Sequence, residues 1–294
     1  MIEIAPPTAD TVRHPRGTWL IPDTGNPIAH RDLMMRMAER RVVLLGETHD
    51  IAEIHRWQLH ILAALHLYRP NLAVAFEMFP RRLQPVLDAW IEGCFDATTF
   101  LQTCEWSQIW GFDPNLYFPL FHFCRQHRIR MVAMNCPRPL VSRVGREGWA
   151  AIPEDERDGV TPARPATDDH RRYLFDLIGA AGGAIAALDP SFDRFVRAQQ
   201  VWDRAFACTI AEALADGGPP LVVGILGRGH VEYGHGTPFQ LADLGIADVA
   251  VLLPTHADSL ALKRNRGIAD AVFRLDEPDP PQTARTTPPG RTAA

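Results

Sequence analysis

The chain is expected to be an α/β protein: a mostly parallel sheet core with helices on both faces and an inserted helical cap. Three observations predict it. Five apolar runs rich in β-branched residues are nearly continuous rather than alternating, the pattern of strands buried on both faces. Between the first two runs, apolar side chains recur at helical spacing, which makes a βαβ unit with a right-handed crossover. At 294 residues, 46% hydrophobic and 22% charged, the chain has material for one large α/β domain or two ordinary ones.

Residues 1–30 are expected to be an extended N-terminal segment. The first strand is Arg41–Glu47. A helix follows over Ile51–Tyr68, where Ile54, Gln58, Ile61 and Leu65 share a face, with Asp50 as N-cap and Glu53 completing a capping pair. The second strand is Leu72–Met78. The stretch from about Pro80 to His127 reads as helical, rich in aromatics and longer than one crossover requires. Ile129–Asn135 is the third strand. A second long excursion then contains a polar loop, Pro153–Asp169, and a helix ending in Gln199, Gln200, Trp202 and Asp203. Leu221–Leu226 and Ala247–Leu253 complete the sheet. The expected division is one α/β domain over residues 31–275, with cap insertions at about 80–127 and 138–217. From residue 276 the Pro/Thr-rich tail, including EPDPPQTARTTPPGRTAA, cannot bury apolar area and is expected to be disordered.

Composition excludes several functions. A net charge of −5 without any basic block gives no electrostatic basis for binding nucleic acid or an anionic membrane. No stretch approaches the roughly 18 apolar residues of a membrane span. The N-terminus shows no signal-peptide core, no lipid-acceptor cysteine and no myristoylation start, so a cytoplasmic location is expected. Cys94, Cys104, Cys124, Cys136 and Cys208 are widely spaced with no C-x-x-C, and read as buried free thiols. H-E-x-x-H, G-x-S-x-G, a P-loop and G-x-G-x-x-G are all absent, which disfavours a zincin, a serine hydrolase, an NTPase and a nicotinamide enzyme.

Ligands of open parallel sheets bind outside the carboxyl ends of the strands. There the first strand presents Glu47 and His49, the second Glu77, the third Asn135 and Arg138. The fourth runs into GRGHVEYGHG, with Arg228, His230, Tyr233 and His235. Imidazoles and carboxylates together suit a transition metal, general acid–base work or haem contacts. Gly227 and Gly229 let the backbone beside His230 turn and approach a ligand closely. Plainer roles compete: Glu77 as an ion pair with Arg81 or Arg82, His55 as a solvated helix residue. His60, His66, His122 and His127 read as surface or satisfied core histidines. Trp106, Trp110, Phe112 and Tyr117 read first as cap core, and Met78, Met131 and Met134 as packing.

Taken in order, LLGETHDIAEIHRWQLHIL, AFEMFPRRLQPVLDAW, MNCPRPL, AQQVWDRAFA and GILGRGHVEYGHGTP resemble the ChaN-like haem-binding family. That family shares a superfamily with the Tiki and TraB proteins and the erythromycin esterases. The resemblance runs from about Arg41 to Leu253. It implies an α/β core with a helical cap, a haem-binding cleft and a part in iron acquisition. It further implies a homodimer pairing two haems face to face, with a tyrosine of one subunit on iron and a histidine of the other on propionate. Tyr233 is then the candidate iron ligand, with His235 or His55, and Arg228 beside them, for the propionates. The alternative is a hydrolase. In one form Glu47, His49, Glu77 and His230 hold a divalent ion that activates water. In the other, His49 is the general base, oriented by Glu47 or Glu77, and Arg138 or Arg228 meets the developing oxyanion.

Overall fold

The computed structural model describes residues 10–180, 189–215 and 217–276. The tail expected to be disordered lies, from residue 277 on, outside the described residues. In chain order the strands are β1 (Thr11–Arg13), β2 (Trp19–Leu20), β3 (Pro27–Ile28), β4 (Val42–Glu47) and β5 (Leu72–Pro80). They continue with β6 (Arg130–Asn135), β7 (Leu221–Gly227), β8 (Val249–Thr255), β9 (Ser259–Ala261) and β10 (Ala271–Arg274). The helices are α1 (His30–Met37), α2 (Ala52–Tyr68), α3 (Gln84–Ile91), α4 (Ala97–Thr103), α5 (Trp106–Ile109) and α6 (Phe118–Gln126). After them come α7 (Arg138–Glu147), α8 (Asp168–Ala180), α9 (Pro190–Ala213), α10 (Thr237–Asp243) and α11 (Leu262–Asn265).

The main sheet runs β3-β2-β10-β8-β4-β7-β5-β6. Its body is parallel, from β10 to β6, and β2 and β3 add an antiparallel edge. This is the α/β class expected. Strands β4 and β5 are buried along their whole length, which is why their sequences are apolar without alternation. Leu44 and Leu45 expose nothing, and burying each such side chain stabilises the fold by about 1.5–3 kcal/mol.

The strand order fixes the layers. The β4-to-β5 crossover steps over β7 in one direction, and the β7-to-β8 crossover steps over β4 in the other. Right-handed connections in opposite directions put their helices on opposite faces. Accordingly α2 packs through Ile54, Ile61 and Leu65 into a core cluster on one face, together with Trp90, Phe100 and Phe121 of the aromatic excursion. Leu241 of α10 and Phe206 and Ile210 of α9 pack into the cluster on the other. The reversal leaves a crevice at the carboxyl ends of β4 and β7, the switch point where open α/β sheets bind ligands. Glu47 and Gly227 face each other there in register.

Several boundaries differ from expectation. β5 runs on to Pro80, and its pairing with β6 shifts register between Phe76 and Pro80, around Glu77. Such bulges re-aim side chains. β8 starts at Val249, because Asp248 before it is tied to the Arg40 guanidinium and the Arg41 amide. Asp50 does not cap α2: the N-cap position is Ile51, without a side-chain bond, and Glu53 pairs with Arg56 instead. Residues 11–28 are more than an extended segment, since they supply β1 and the edge strands β2 and β3. Among the described residues, no helix is long and apolar enough to cross a membrane.

Candidate functional site

Glu47 ends β4 almost completely buried. A carboxylate in such a place needs donors for its lone pairs. Oε1 accepts from His49 Nδ1 at 2.8 Å and from the Tyr117 hydroxyl at 3.0 Å, and Oε2 accepts from Gln58 Nε2 at 2.9 Å. Burial pushes the Glu47 pKa up, but the bond from His49 and the charges of His55 and His49 outweigh it, and the net shift is downward.

Gln58 Nε2 also donates to the Leu45 carbonyl, which turns Oε1 towards His55 Nδ1 at 3.1 Å. His55 Nε2 donates to the His49 carbonyl at 3.0 Å. Both nitrogens of His55 are therefore engaged inside the protein, and the residue is 2% exposed. This corrects two expectations: His55 is neither a solvated helix residue nor placed to meet a propionate.

His49 keeps 30% of its side chain exposed. Its ring stands edge-on to Trp110, 4.8 Å between centroids, and 5.2 Å from Phe112. Burial lowers its pKa, while the bond to Glu47 and the charges of Glu77 and Glu47 raise it further, for a net rise. With Nδ1 committed to Glu47, Nε2 is the nitrogen that can meet a ligand.

Glu77 sits between the two halves of the site. Oε2 accepts the Gly227 amide at 2.6 Å, and Oε1 lies 3.7 Å from His230 Nε2. It pairs with neither nearby arginine: Arg81 holds Glu212 and Arg82 holds Glu105. Gly227 is required by close approach, because a Cβ there would lie 3.1 Å from His49 Cε1 and 3.3 Å from its Nε2.

His230 follows β7, with Nδ1 on Asp203 Oδ1 of α9 at 2.8 Å. Thr237 donates to the same oxygen at 3.2 Å. Burial lowers the His230 pKa, but the charge and hydrogen bond of Asp203, with the charge of Glu77, raise it to about 9. Gly236, at φ +60°, closes over this pair: a Cβ would fall 2.5 Å from the His230 carbonyl and 2.9 Å from Asp203 Oδ1.

The two imidazole–carboxylate pairs open onto one cleft of about 550 Å³, lined by His49, Glu77, His230, Trp110, Phe112, Trp202, Asn135 and Arg138 among others. Glu47, His49, Glu77 and His230 thus come together, as their strand-end positions suggested. Trp110 and Phe112 wall this cleft rather than filling a cap core, whereas Trp106 and Tyr117 are buried. Arg138 donates to the Ile109 carbonyl across the rim.

Arg228, Tyr233 and His235 are not part of the cleft. Arg228 pairs with Glu232 and so does not reach an oxyanion there. Tyr233 has φ +59°, unusual for a side chain of its size, and its hydroxyl donates to the Arg264 carbonyl at 3.1 Å. Its ring lies 5.8 Å from Tyr173 and 6.1 Å from His235, which stacks on His170.

Among the described residues, no three His, Cys, Asp or Glu side chains form a group suited to a metal ion. The four nominated for a divalent ion are directed elsewhere: Glu47 inward with no side-chain exposure, His49 Nδ1 onto Glu47, Glu77 onto a backbone amide, His230 Nδ1 onto Asp203. Sequence reasoning missed Tyr117, Thr237 and the role of Asp203. Two signals were present. Gln58 is polar in the apolar stripe of α2, and Asp203 is an acid inside the buried run of α9.

Comparison with known proteins agrees with this architecture. Residues 33–241 match the family described as haem-binding uptake, Tiki superfamily, ChaN. Protein RETICULATA-RELATED 5, chloroplastic, of Arabidopsis thaliana is 26% identical over 214 residues, 68% of this chain. The chain spans only 28% of the length of that relative. A solved structure of cofacial heme binding to ChaN of Campylobacter jejuni superposes with a TM-score of 0.67 at 21% identity. The alignment covers 87% of this chain and 95% of that one, and at such identity it shows a shared fold.

Proposed function

This chain belongs to the family of haem-binding uptake, Tiki superfamily, ChaN proteins, and from that premise we propose that it binds haem through the phenol of Tyr233. The supporting observation is local. Tyr233 is held in the left-handed region at φ +59°, with its hydroxyl bonded to one backbone carbonyl near the surface. A bulky residue keeps such a conformation only when its surroundings impose it, and strain of that kind gathers at binding sites.

The donor set suits the ligand. Phenolate oxygen is a hard anionic donor that favours Fe(III). The ring of Tyr173 stands edge-on to the phenol at 5.8 Å and gives it an aromatic neighbour, and a porphyrin carries a large apolar area to cover. Arg264 and Arg228 are near enough for their charge to act on the phenol; Arg228 is held by Glu232, which leaves Arg264 and His235 as the groups available to carboxylates such as propionates. The likeness to a protein solved with cofacial heme motivates the further reading that the loaded chain pairs with a second copy.

Titration of haem-free protein with hemin tests this. The expected result is a saturable, shifted Soret band at one haem per chain, lost or strongly weakened in Tyr233→Phe, with the mass doubling on loading. An unshifted free-hemin spectrum, or a Tyr233→Phe titration identical to wild type, would overturn the proposal.

A further inference from the structure

We propose that the cleft at the carboxyl ends of β4, β5 and β7 is a binding site for a small aromatic monocarboxylate. The carboxylate meets His230, His49 and Arg138, and the ring lies against aromatic walls. This goes beyond haem ligation and does not rest on it, because Tyr233 and His235 lie outside the cleft.

Two imidazoles present donors to the cleft. His230 is 9% exposed, and its Nδ1 is spent on Asp203 Oδ1 at 2.8 Å, which leaves Nε2 for the cleft that the ring lines. Glu77 Oε1 stands 3.7 Å from that nitrogen, beyond hydrogen-bond reach. A buried N–H of this kind needs an acceptor, and the described residues supply none. His49 repeats the arrangement, with Nδ1 on Glu47 at 2.8 Å and Nε2 left over. The groups facing His230 are Asp203, Glu77, His49 and His170; those facing His49 are Glu47, Glu77 and His230. Burial works against the charge of both rings, and the carboxylates outweigh it. His230 rises to about 9 and His49 also shifts upward, which favours the donating form of each.

Arg138 adds a charge at the rim. Its Nη2 donates to the neutral Ile109 carbonyl at 2.9 Å, and among the described residues no acid pairs with it. The helix α7 begins at this residue with no side-chain cap and no acid in its first turn, so its positive end adds to the same potential. Arg82 also lines the cleft, but its charge is taken by Glu105.

Glu77 limits what the anion can be. It is the one acid among the described residues that line the cleft, since Glu47 has no side-chain exposure and Asp203 keeps 2%. Its Oε2 is occupied by the Gly227 amide at 2.6 Å, and His230 offsets its charge. A phosphate monoester brings two charges against it and is repelled the more strongly. A carboxylate brings one charge on two oxygens and accepts from two donors at once.

The walls favour a ring on that carboxylate. Trp110 stands edge-on to His49 at 4.8 Å, with Phe112 at 5.2 Å, and Trp202 stands edge-on to His230 at 6.4 Å. Each donor thus has an aromatic surface beside it, and Met78 and Ile109 extend the apolar lining. A flat ring gains both area and edge-to-face contact there. The volume of about 550 Å³ lies in the range of small-molecule sites.

The test is calorimetric titration of haem-free, full-length protein with 3-phenylpropanoate, and with 3-phenylpropanamide as its neutral counterpart. Saturation at one acid per chain is expected, with the amide weaker by at least about tenfold, the worth of one hydrogen bond to a charged group. Affinity for the acid should fall at least about tenfold from pH 7 to pH 10, as His230 loses its proton. His230→Gln should cost the acid a similar factor and the amide little; if that variant fails to fold, as judged by circular dichroism, the pH series reads the same charge in the wild type. Arg138→Gln, at an exposed rim position, should weaken the acid about twofold to fivefold and leave the amide unchanged. The proposal is overturned by no saturation up to about 1 mM, by equal affinity for acid and amide, or by an affinity that does not change with pH. Tyr233→Phe should bind the acid as the wild type does. A loss there would assign the acid to the surface around Tyr233 and overturn the assignment to the cleft.

Discussion

Replacing Asp203 by asparagine removes the charge that does most to keep His230 protonated inside the protein. The His230 pKa stands at about 9 against an ordinary 6.5, despite burial that works the other way. Because the folded value is the higher, this pairing stabilises the fold fully below about pH 6.5, and the contribution fades as pH rises through about 9. A difference of that size corresponds to about 3 kcal/mol at pH 6, about 2.5 at pH 7 and almost nothing at pH 10. Glu77 also faces the ring, so Asp203→Asn should lose the larger part, about 2 kcal/mol at pH 6. The assay is urea unfolding followed by tryptophan fluorescence at pH 6, 7, 8 and 10, with m-values compared to confirm that the unfolded states match. The gap between wild type and variant should close as pH approaches 10. A gap of equal size at pH 6 and pH 10 would refute the reasoning, because it would mean that Asp203 contributes by shape or hydrogen bonding and not by charge.

Tyr117→Phe removes a hydroxyl that donates to the buried Glu47 carboxylate at 3.0 Å, so it should lower stability by about 1.5–3 kcal/mol, measured by the same unfolding. Gly227→Ala places a methyl 3.1 Å from His49 Cε1, against a ring held on the buried Glu47, so it should lower stability by about 1–3 kcal/mol in the same unfolding assay. Burial and Glu232 raise the Tyr233 pKa, so iron must displace a proton there, and hemin affinity should tighten from pH 6 to pH 8.5. A flat or inverted dependence would count against phenolate ligation.

What was readable in the sequence follows from what leaves a one-dimensional trace. β4, β5 and β7 are buried on both faces, so their apolar runs announced them to within a residue or two. β2, β3 and β10 were not seen, because two to four residues carry no period and their place depends on partners far along the chain. Glu47, Glu77 and His230 could be placed at one edge because strand ends of a parallel sheet meet there by topology. Their partners could not. Asp203 reaches His230 from the middle of α9, and Tyr117 reaches Glu47 from seventy residues away. Nothing in local pattern encodes such a meeting. The Glu77–arginine pairing failed for a related reason: Arg81 and Arg82 are adjacent in sequence but turn outward to Glu212 and Glu105.

Ligation by Tyr233 is tested most directly by resonance Raman spectroscopy of hemin-loaded protein, wild type beside Tyr233→Phe. Tyrosinate ring modes coupled to ferric iron should appear in the wild type and vanish in the variant. Their persistence in Tyr233→Phe, or a wild-type spectrum showing imidazole on iron, would contradict the assignment.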